Sequence, residues 1–231
     1  MNQQLTTGII LRRTDYGEAD RIISLLTPEH GKLSLVAKGV RKVKSKLAGG
    51  IELFSVSHIT YLAPRTGSGL GTLVSARLDK HYDHIVKDID RTMLGYDLIK
   101  QLDKATEDNP EPAYFELLQQ AFEALNDATI DRQLIKLWFD AQLLRLSGHT
   151  PNLQTDTAGA KLEAGNHYEF SHDDMSFIAR PEGGYSTDEI KFLRLIFNGN
   201  TPDVLTKITG SEALTQRVDQ LVNFMHQQYA R

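Results

Sequence analysis

Over the first 80 residues, apolar and polar positions alternate with a period near two, in five short segments broken by Gly, Pro and charged turns. That is the pattern of half-buried β-strands. The segments are 5–13, 20–27, 32–38, 51–62 and 70–78. A turn over 14–18 contains Gly17, and Pro28-Glu29-His30-Gly31 has the chemistry of a hairpin turn. The third segment is the cleanest: Leu33, Leu35 and Ala37 fall on one face, and Ser34, Val36 and Lys38 on the other. A loop containing Pro64, Gly67 and Gly69 joins the last two segments.

From about residue 84 the period lengthens to near 3.6, which places a domain boundary near His81. Pro112 stands where a first helical turn accepts it, ahead of an apolar stripe of Phe115, Leu118, Phe122 and Leu125. A second stripe, Leu134, Leu137, Trp138, Ala141 and Leu144, ends at Ser147-Gly148, where a left-handed cap is expected. Glycines and prolines make 149–185 an irregular excursion. Helix is expected to resume at Ser186, which has the spacing of a capping box with Glu189 ahead of Ile190, Phe192, Leu193 and Ile196. The last helix, after Ser211, carries Leu214, Val218, Leu221 and Met225 along one side. The expected fold class is α+β: an amino-terminal five-stranded β-barrel of the OB type over 1–80, followed by an all-helical domain over 81–231 with the irregular insertion. Faces and loops of such barrels bind oligonucleotides.

Charge sharpens the division. Residues 1–80 hold 12 Lys+Arg against 6 Asp+Glu, although the whole chain is formally −4. Five of those cations, Lys38, Arg41, Lys42, Lys44 and Lys46, crowd into the nine residues KGVRKVKSK, with no acid among them. Dense like charge repels itself and contributes little to a fold, so the run is a candidate surface for polyanions. The remaining residues balance at −10, which suits protein or water rather than phosphate. No stretch approaches the roughly 18 apolar residues of a membrane helix, and the polar start MNQQLTTG lacks a signal-peptide core, so a cytoplasmic protein is expected. With no cysteine, disulfides, thiolate metal sites and cysteine nucleophiles are excluded.

Other motifs fail on spacing. Gly31-Lys32-Leu33-Ser34 lacks the glycine that a phosphate loop requires five positions earlier, where Leu26 stands. Gly67-Ser68-Gly69-Leu70-Gly71 has its third glycine one position early for a dinucleotide fingerprint and no helix after it. His81, Asp83 and His84 make a sparse metal corner, and His149, His167 and His172 have no recognised ligand spacing. Nothing assembles a nucleophile, a base and an oxyanion site, so no enzyme activity, cofactor or metal is expected.

The stretch 8–62 is similar to the RecO family, bacterial DNA repair and recombination mediators. It carries the family's Tyr-Gly-Glu-x-Asp turn at Tyr16 to Asp20, its Thr-x-x-x-Gly-Lys hairpin at Thr27 to Lys32, and its Ala-Lys-Gly-x-Arg segment at Ala37 to Arg41. The helical remainder resembles the family in architecture. The resemblance implies a non-enzymatic, nucleoid-associated protein that binds single- and double-stranded DNA without sequence specificity, anneals complementary strands and helps load the RecA recombinase. It implies RecR, and often RecF, as partners, on strands coated by single-strand binding protein. The family's basic stretch falls on Lys38, Arg41, Lys42, Lys44 and Lys46, with Arg12, Arg13 and Arg21 on neighbouring strands extending it. Many members hold a structural zinc with four cysteines in the excursion after the helix ending near Gly148; this chain has none, so zinc is not expected. A second reading is a protein-interaction adaptor with weak or no DNA binding.

Lysines meet phosphate without base geometry, so binding through this run should be tolerant of sequence and steeply salt-dependent. Aromatic residues in this half are few, namely Tyr16, Phe54 and Tyr61, and Phe54 is expected to fill the barrel.

Overall fold

Gly17, at φ 56°, lets β1 (Gln3–Tyr16) fold tightly back into β2 (Asp20–Thr27), with Tyr16 directly opposite Asp20. A side chain resists that left-handed backbone, whereas glycine takes it freely. The hairpin is longer and its turn shorter than the 14–18 reading, because Thr14 and Asp15 stay in register with Ile22 and Arg21. The strands β3 (Gly31–Ala37), β4 (Ser55–Leu62) and β5 (Gly71–His81) complete the set. These relations come from a computed structural model that describes residues 3–64, 69–106 and 111–229. Gly67 and Ser68 of the loop before β5 lie outside the described residues.

The hydrogen-bonded order is β1-β2-β3-β5-β4, and β4 returns antiparallel to β1 to close the barrel. The seam is the parallel pairing of β3 with β5, through Leu35 opposite Gly71 and Val36 opposite Thr72. Strand alternation sends Ile10, Ile23, Leu25, Leu35, Ile59, Tyr61 and Leu73 inward, all nearly inaccessible to water. Burying each aliphatic side chain of this kind contributes about 1.5–3 kcal/mol. Val40 and Ile51, from the segment between β3 and β4, plug the same core and so fix both ends of the basic run.

That segment differs from the expected strand 51–62. A 3₁₀ turn occupies Ala48–Gly50, and β4 starts only at Ser55, because Phe54 adopts φ 55° and breaks the extended path. Phe54 is buried as expected, but against helix rather than inside the barrel. Its ring meets Tyr96 and Phe122 edge-on at 5.3 and 5.4 Å. Tyr96 belongs to α1 (Ile89–Ala105), capped by Asp88, whose carboxylate accepts from the backbone N–H groups of Asp90 and Arg91. Phe122 belongs to α2 (Pro112–Asn126), which begins on Pro112 and buries Phe115, Leu118, Phe122 and Leu125. Two compact units result, Met1–Asp127 and Ala128–Arg231, so that α1 and α2 pack with the barrel.

The second unit is organised on α3 (Arg132–Leu146), where Leu134, Ile135 and every residue from Leu137 to Leu144 are buried. A left-handed Gly148 ends it: the N–H of Gly148 donates to the Arg145 carbonyl and that of His149 to Leu144, which satisfies two terminal acceptors. Helices α4 (Thr187–Phe197) and α6 (Ser211–Tyr229) pack against α3, with the short α5 (Pro202–Leu205) beside it. Polar groups also lie within this core, among them Asp140, Gln142 and Thr215. Asp140 is fully buried, receives a hydrogen bond from Lys136, and Lys136 also donates to Asn223 of α6 at 2.9 Å. Burial raises the Asp140 pKa, with Lys136 and His226 opposing.

Residues 149–185 are irregular over most of their length but contain a small antiparallel sheet in the order β7-β6-β8, from β6 (His167–Ser171), β7 (Ser176–Ala179) and β8 (Tyr185–Ser186). Strands this short show no readable period. The Ser186–Glu189 capping box is present at the start of α4.

Candidate nucleic-acid interface

The basic run leaves β3 as a series of turns clamped onto the β1–β2 hairpin. The Gly39 N–H donates to Oδ1 of Asp20 at 2.6 Å, and the Arg41 N–H donates to the Ala19 carbonyl at 2.9 Å. Within the run, Lys42 N–H reaches the Gly39 carbonyl and Ser45 N–H reaches that of Lys42. The segment is therefore held at its base by the Asp20 that ends the Tyr-Gly-Glu-x-Asp turn, a role that no charge count reveals.

The eight candidate cations fall into two groups. Arg13, Arg21 and Arg41 are engaged: Arg13 with Glu52 at 2.7 Å, Arg21 with Asp15 at 2.8 Å, and Arg41 with Asp15 at 3.5 Å. Arg21 lies opposite both Asp15 and Ala37, and Arg13 lies opposite Ile23, so these charges share the inward side at the rim of the barrel. The hydrogen bond from Arg21, with Arg41 and Arg13 nearby, holds the Asp15 carboxyl below the usual carboxylate range against slight desolvation. By contrast, Lys38, Lys42, Lys44, Lys46 and Arg12 are exposed and make no side-chain hydrogen bond or ion pair with any described residue. Arg12 pairs with Ser24 on the outward side of the hairpin, away from Arg13 and Arg21. Val43, at the middle of the run, is fully exposed.

The arrangement suits binding of a polyanion. The lysine side chains are exposed, and the engaged arginines tie together the hairpin and loop that carry them. The guanidinium groups of Arg13, Arg21 and Arg41 already hold carboxylates, which leaves Arg12 as the unengaged arginine of the eight candidates.

The histidines have other occupations. At His84 the backbone N–H donates to Asn126 Oδ1 at 2.9 Å, Nδ1 lies 3.1 Å from the Asn126 carbonyl, and Nε2 lies 4.0 Å from Asp83 Oδ1. His149 stacks on Tyr229, and His172 packs on Phe224 with centroids 4.2 Å apart. Among the described residues no group of three or more His, Cys, Asp or Glu could hold a metal ion. The excursion over 149–185 carries no cysteine. Its centre is a packed set of rings: Phe177 meets Phe170 at 5.1 Å and Tyr168 at 6.4 Å, and the Tyr168 hydroxyl accepts from the Glu163 N–H at 2.8 Å.

Sequence reading named no groove in the second unit, but the structure contains one of about 650 Å³ between α4 and the start of α6. Phe192, Leu195, Ile208 and Leu214 form its apolar wall, with Lys191 and Arg217 at its edge. Arg217 donates to Glu189 Oε1 at 2.6 Å and Lys191 to Asp188 at 3.1 Å. Burial opposes ionisation of Glu189, yet hydrogen bonds from Ser186 and Arg217 hold its carboxyl down at about 2. No helix among the described residues is long and apolar enough to cross a membrane.

An OB-type barrel with exposed lysines on a clamped loop, followed by helices, defines a class of α+β proteins with a basic barrel surface. Comparison with known proteins narrows the class. A family described as "Recombination protein O N terminal" matches residues 1–82, and one described as "Recombination protein O C terminal" matches residues 86–231. The chain belongs to the RecO family of DNA repair proteins. It is 31% identical over 198 residues to the DNA repair protein RecO of Listeria monocytogenes serotype 4b (strain CLIP80459), an alignment that covers 82% of this chain and 75% of the relative. It is 35% identical over 174 residues to that of Bacillus pumilus (strain SAFR-032), which covers 75% of this chain and 66% of the relative.

Proposed function

We propose that this chain binds single- and double-stranded DNA without sequence specificity through the 38–46 loop, anneals complementary strands and helps load the RecA recombinase. The observation that carries the reading is the set of four exposed lysines, Lys38, Lys42, Lys44 and Lys46, on a loop clamped at its base and without a carboxylate partner among the described residues. Phosphate neutralisation by such a set releases counterions and needs no particular base. Arg13, Arg21 and Arg41 hold the platform, and Arg12 extends the surface along the outer side of β1. RecR, and often RecF, act with it on strands coated by single-strand binding protein, as the family resemblance implies.

The groove beside α4 and α6 is where we place the acidic tail of single-strand binding protein. Its apolar wall fits hydrophobic residues of that tail, and Arg217, two-thirds exposed, can share its charge with an incoming carboxylate.

The test is annealing of two complementary oligonucleotides, one carrying a donor and the other an acceptor dye. Wild type accelerates pairing, and a variant with Lys42, Lys44 and Lys46 all changed to Ala does not. Unaccelerated annealing by wild type, together with retained binding to RecR, would favour the adaptor reading instead.

A further inference from the structure

We infer that Tyr16 is a stacking contact for an unpaired nucleobase, which makes the outer face of β1, β2 and β3 a single-strand site; this rests on the reading of the 38–46 loop as the phosphate contact. Tyr16 is 54% exposed, whereas Phe54 is 1% and Tyr61 3% exposed. Among the described barrel residues it is the one exposed Phe, Tyr or Trp, and its ring has no hydrogen bond or ring partner there. Exposed single aromatics are ordinary, so position decides the matter.

Tyr16 ends β1 opposite Asp20, the residue whose carboxylate clamps Gly39 of the basic loop. The ring therefore stands one cross-strand step from the base of the lysine run. Strand alternation puts Arg12, Thr14 and Tyr16 on the same outward side, opposite Ser24, Ile22 and Asp20 in turn. Ser34 and Val36 of β3 continue these rows, opposite Ser24 and Ile22. The resulting face has a half-buried apolar floor of Ile22 and Val36, with the exposed cation Arg12 toward one end and Tyr16 at the other, where Lys38 follows the end of β3. At about 3.3 Å per residue, Arg12 and Tyr16 are roughly 13 Å apart along the strand, long enough for more than one nucleotide. OB-type barrels use this strand 2–3 face and the turn between strands 1 and 2 for oligonucleotides.

Stacking needs a base face out of the duplex, so Tyr16 distinguishes single strands from duplex while the lysines do not. Changing Tyr16 to Ala removes no charge. It should weaken binding of a single-stranded homothymidine oligonucleotide by about 5- to 100-fold, the range expected for one lost aromatic–base stack. Duplex affinity and the salt dependence of both substrates should stay as in wild type, and Tyr16→Phe should retain single-strand affinity. Tyr16→Trp supplies an independent signal, because the natural Trp138 is 1% exposed and insulated from ligand. Its added emission should be quenched by the single strand and little affected by duplex. Equal losses on both substrates, no loss in Tyr16→Ala, or emission unmoved by the single strand would each overturn the assignment. Wild-type protein that binds neither substrate would instead remove the underlying reading of the loop.

Discussion

Helix α1 is seated on the barrel through a glycine, and adding one methyl group there tests that packing. A Cβ on Gly95 would lie 2.5 Å from Cε1 of Phe54, 3.1 Å from Cζ and 3.4 Å from Cδ1. The ring has little freedom to withdraw, being 1% exposed, edge-on to both Tyr96 and Phe122, and attached to a backbone at φ 55°. In an open helix interior, Gly→Ala stabilises by about 1 kcal/mol. Overpacking of this kind costs about 1–3 kcal/mol, so Gly95→Ala should be net destabilising by up to about 2 kcal/mol. Phe54→Ala alone should cost about 3–5 kcal/mol. Once the ring is gone, the helix preference is all that remains, and Gly95→Ala should stabilise the Phe54→Ala protein by about 1 kcal/mol. The effect of one substitution thus reverses sign between two backgrounds, a coupling that neighbours in contact show and distant residues do not. Urea unfolding followed by circular dichroism gives the four stabilities, and hydrogen exchange at α1 amides assigns the change to the first unit. Stabilisation by Gly95→Ala in both backgrounds would refute the reasoning.

Two further predictions concern the second unit. Glu189→Gln removes the charge that Ser186 and Arg217 hydrogen-bond, and should destabilise by about 1.5–3 kcal/mol at neutral pH. Because the folded pKa of Glu189 is depressed, its contribution is complete above the unfolded value near 4.5 and is lost as pH falls toward about 2. The difference between variant and wild type in thermal melts should shrink across that window; a constant difference would contradict the assignment. Lys136→Ala strands the buried Asp140 carboxylate and should cost about 3 kcal/mol at neutral pH. Asp140→Asn keeps an acceptor for Lys136 and removes a charge that burial penalises, so urea midpoints should show it close to neutral, and equal losses in the two variants would count against this account.

What was legible in the sequence follows the range of the forces involved. Strand 20–27 stands where its period placed it, and so do the stripes of α2 and α3, since burial alone writes those patterns. The start of β4 was not legible: Ile51 and Leu53 look like strand residues, and only the left-handed backbone of Phe54 stops the strand. The sheet of 167–186 was hidden because its strands are two to five residues long and separated by Gly, Asp and His. At the candidate interface the charges were visible but their partners were not. Glu52 lies 39 residues from the Arg13 it binds, and Asp20 lies 19 from Gly39. Those pairings sort the eight cations into platform and free groups, and they exist only once the barrel has closed.

The most direct measurement is the affinity of a single-stranded oligonucleotide across a salt series, for wild type, for the Lys42, Lys44 and Lys46 triple Ala variant, and for a control in which Arg13 and Arg21 are changed to Ala. With Arg12 and the four lysines as the unpaired contacts, the slope of log affinity against log salt should be near −3.5, at about −0.7 per phosphate on single strands. Removing three lysines should flatten it to about −1.4, whereas the control, whose guanidinium groups hold Glu52 and Asp15, should keep most of the wild-type slope. A slope near zero in wild type, or the same slope in wild type and the triple variant, would contradict the claim that this loop is the DNA interface.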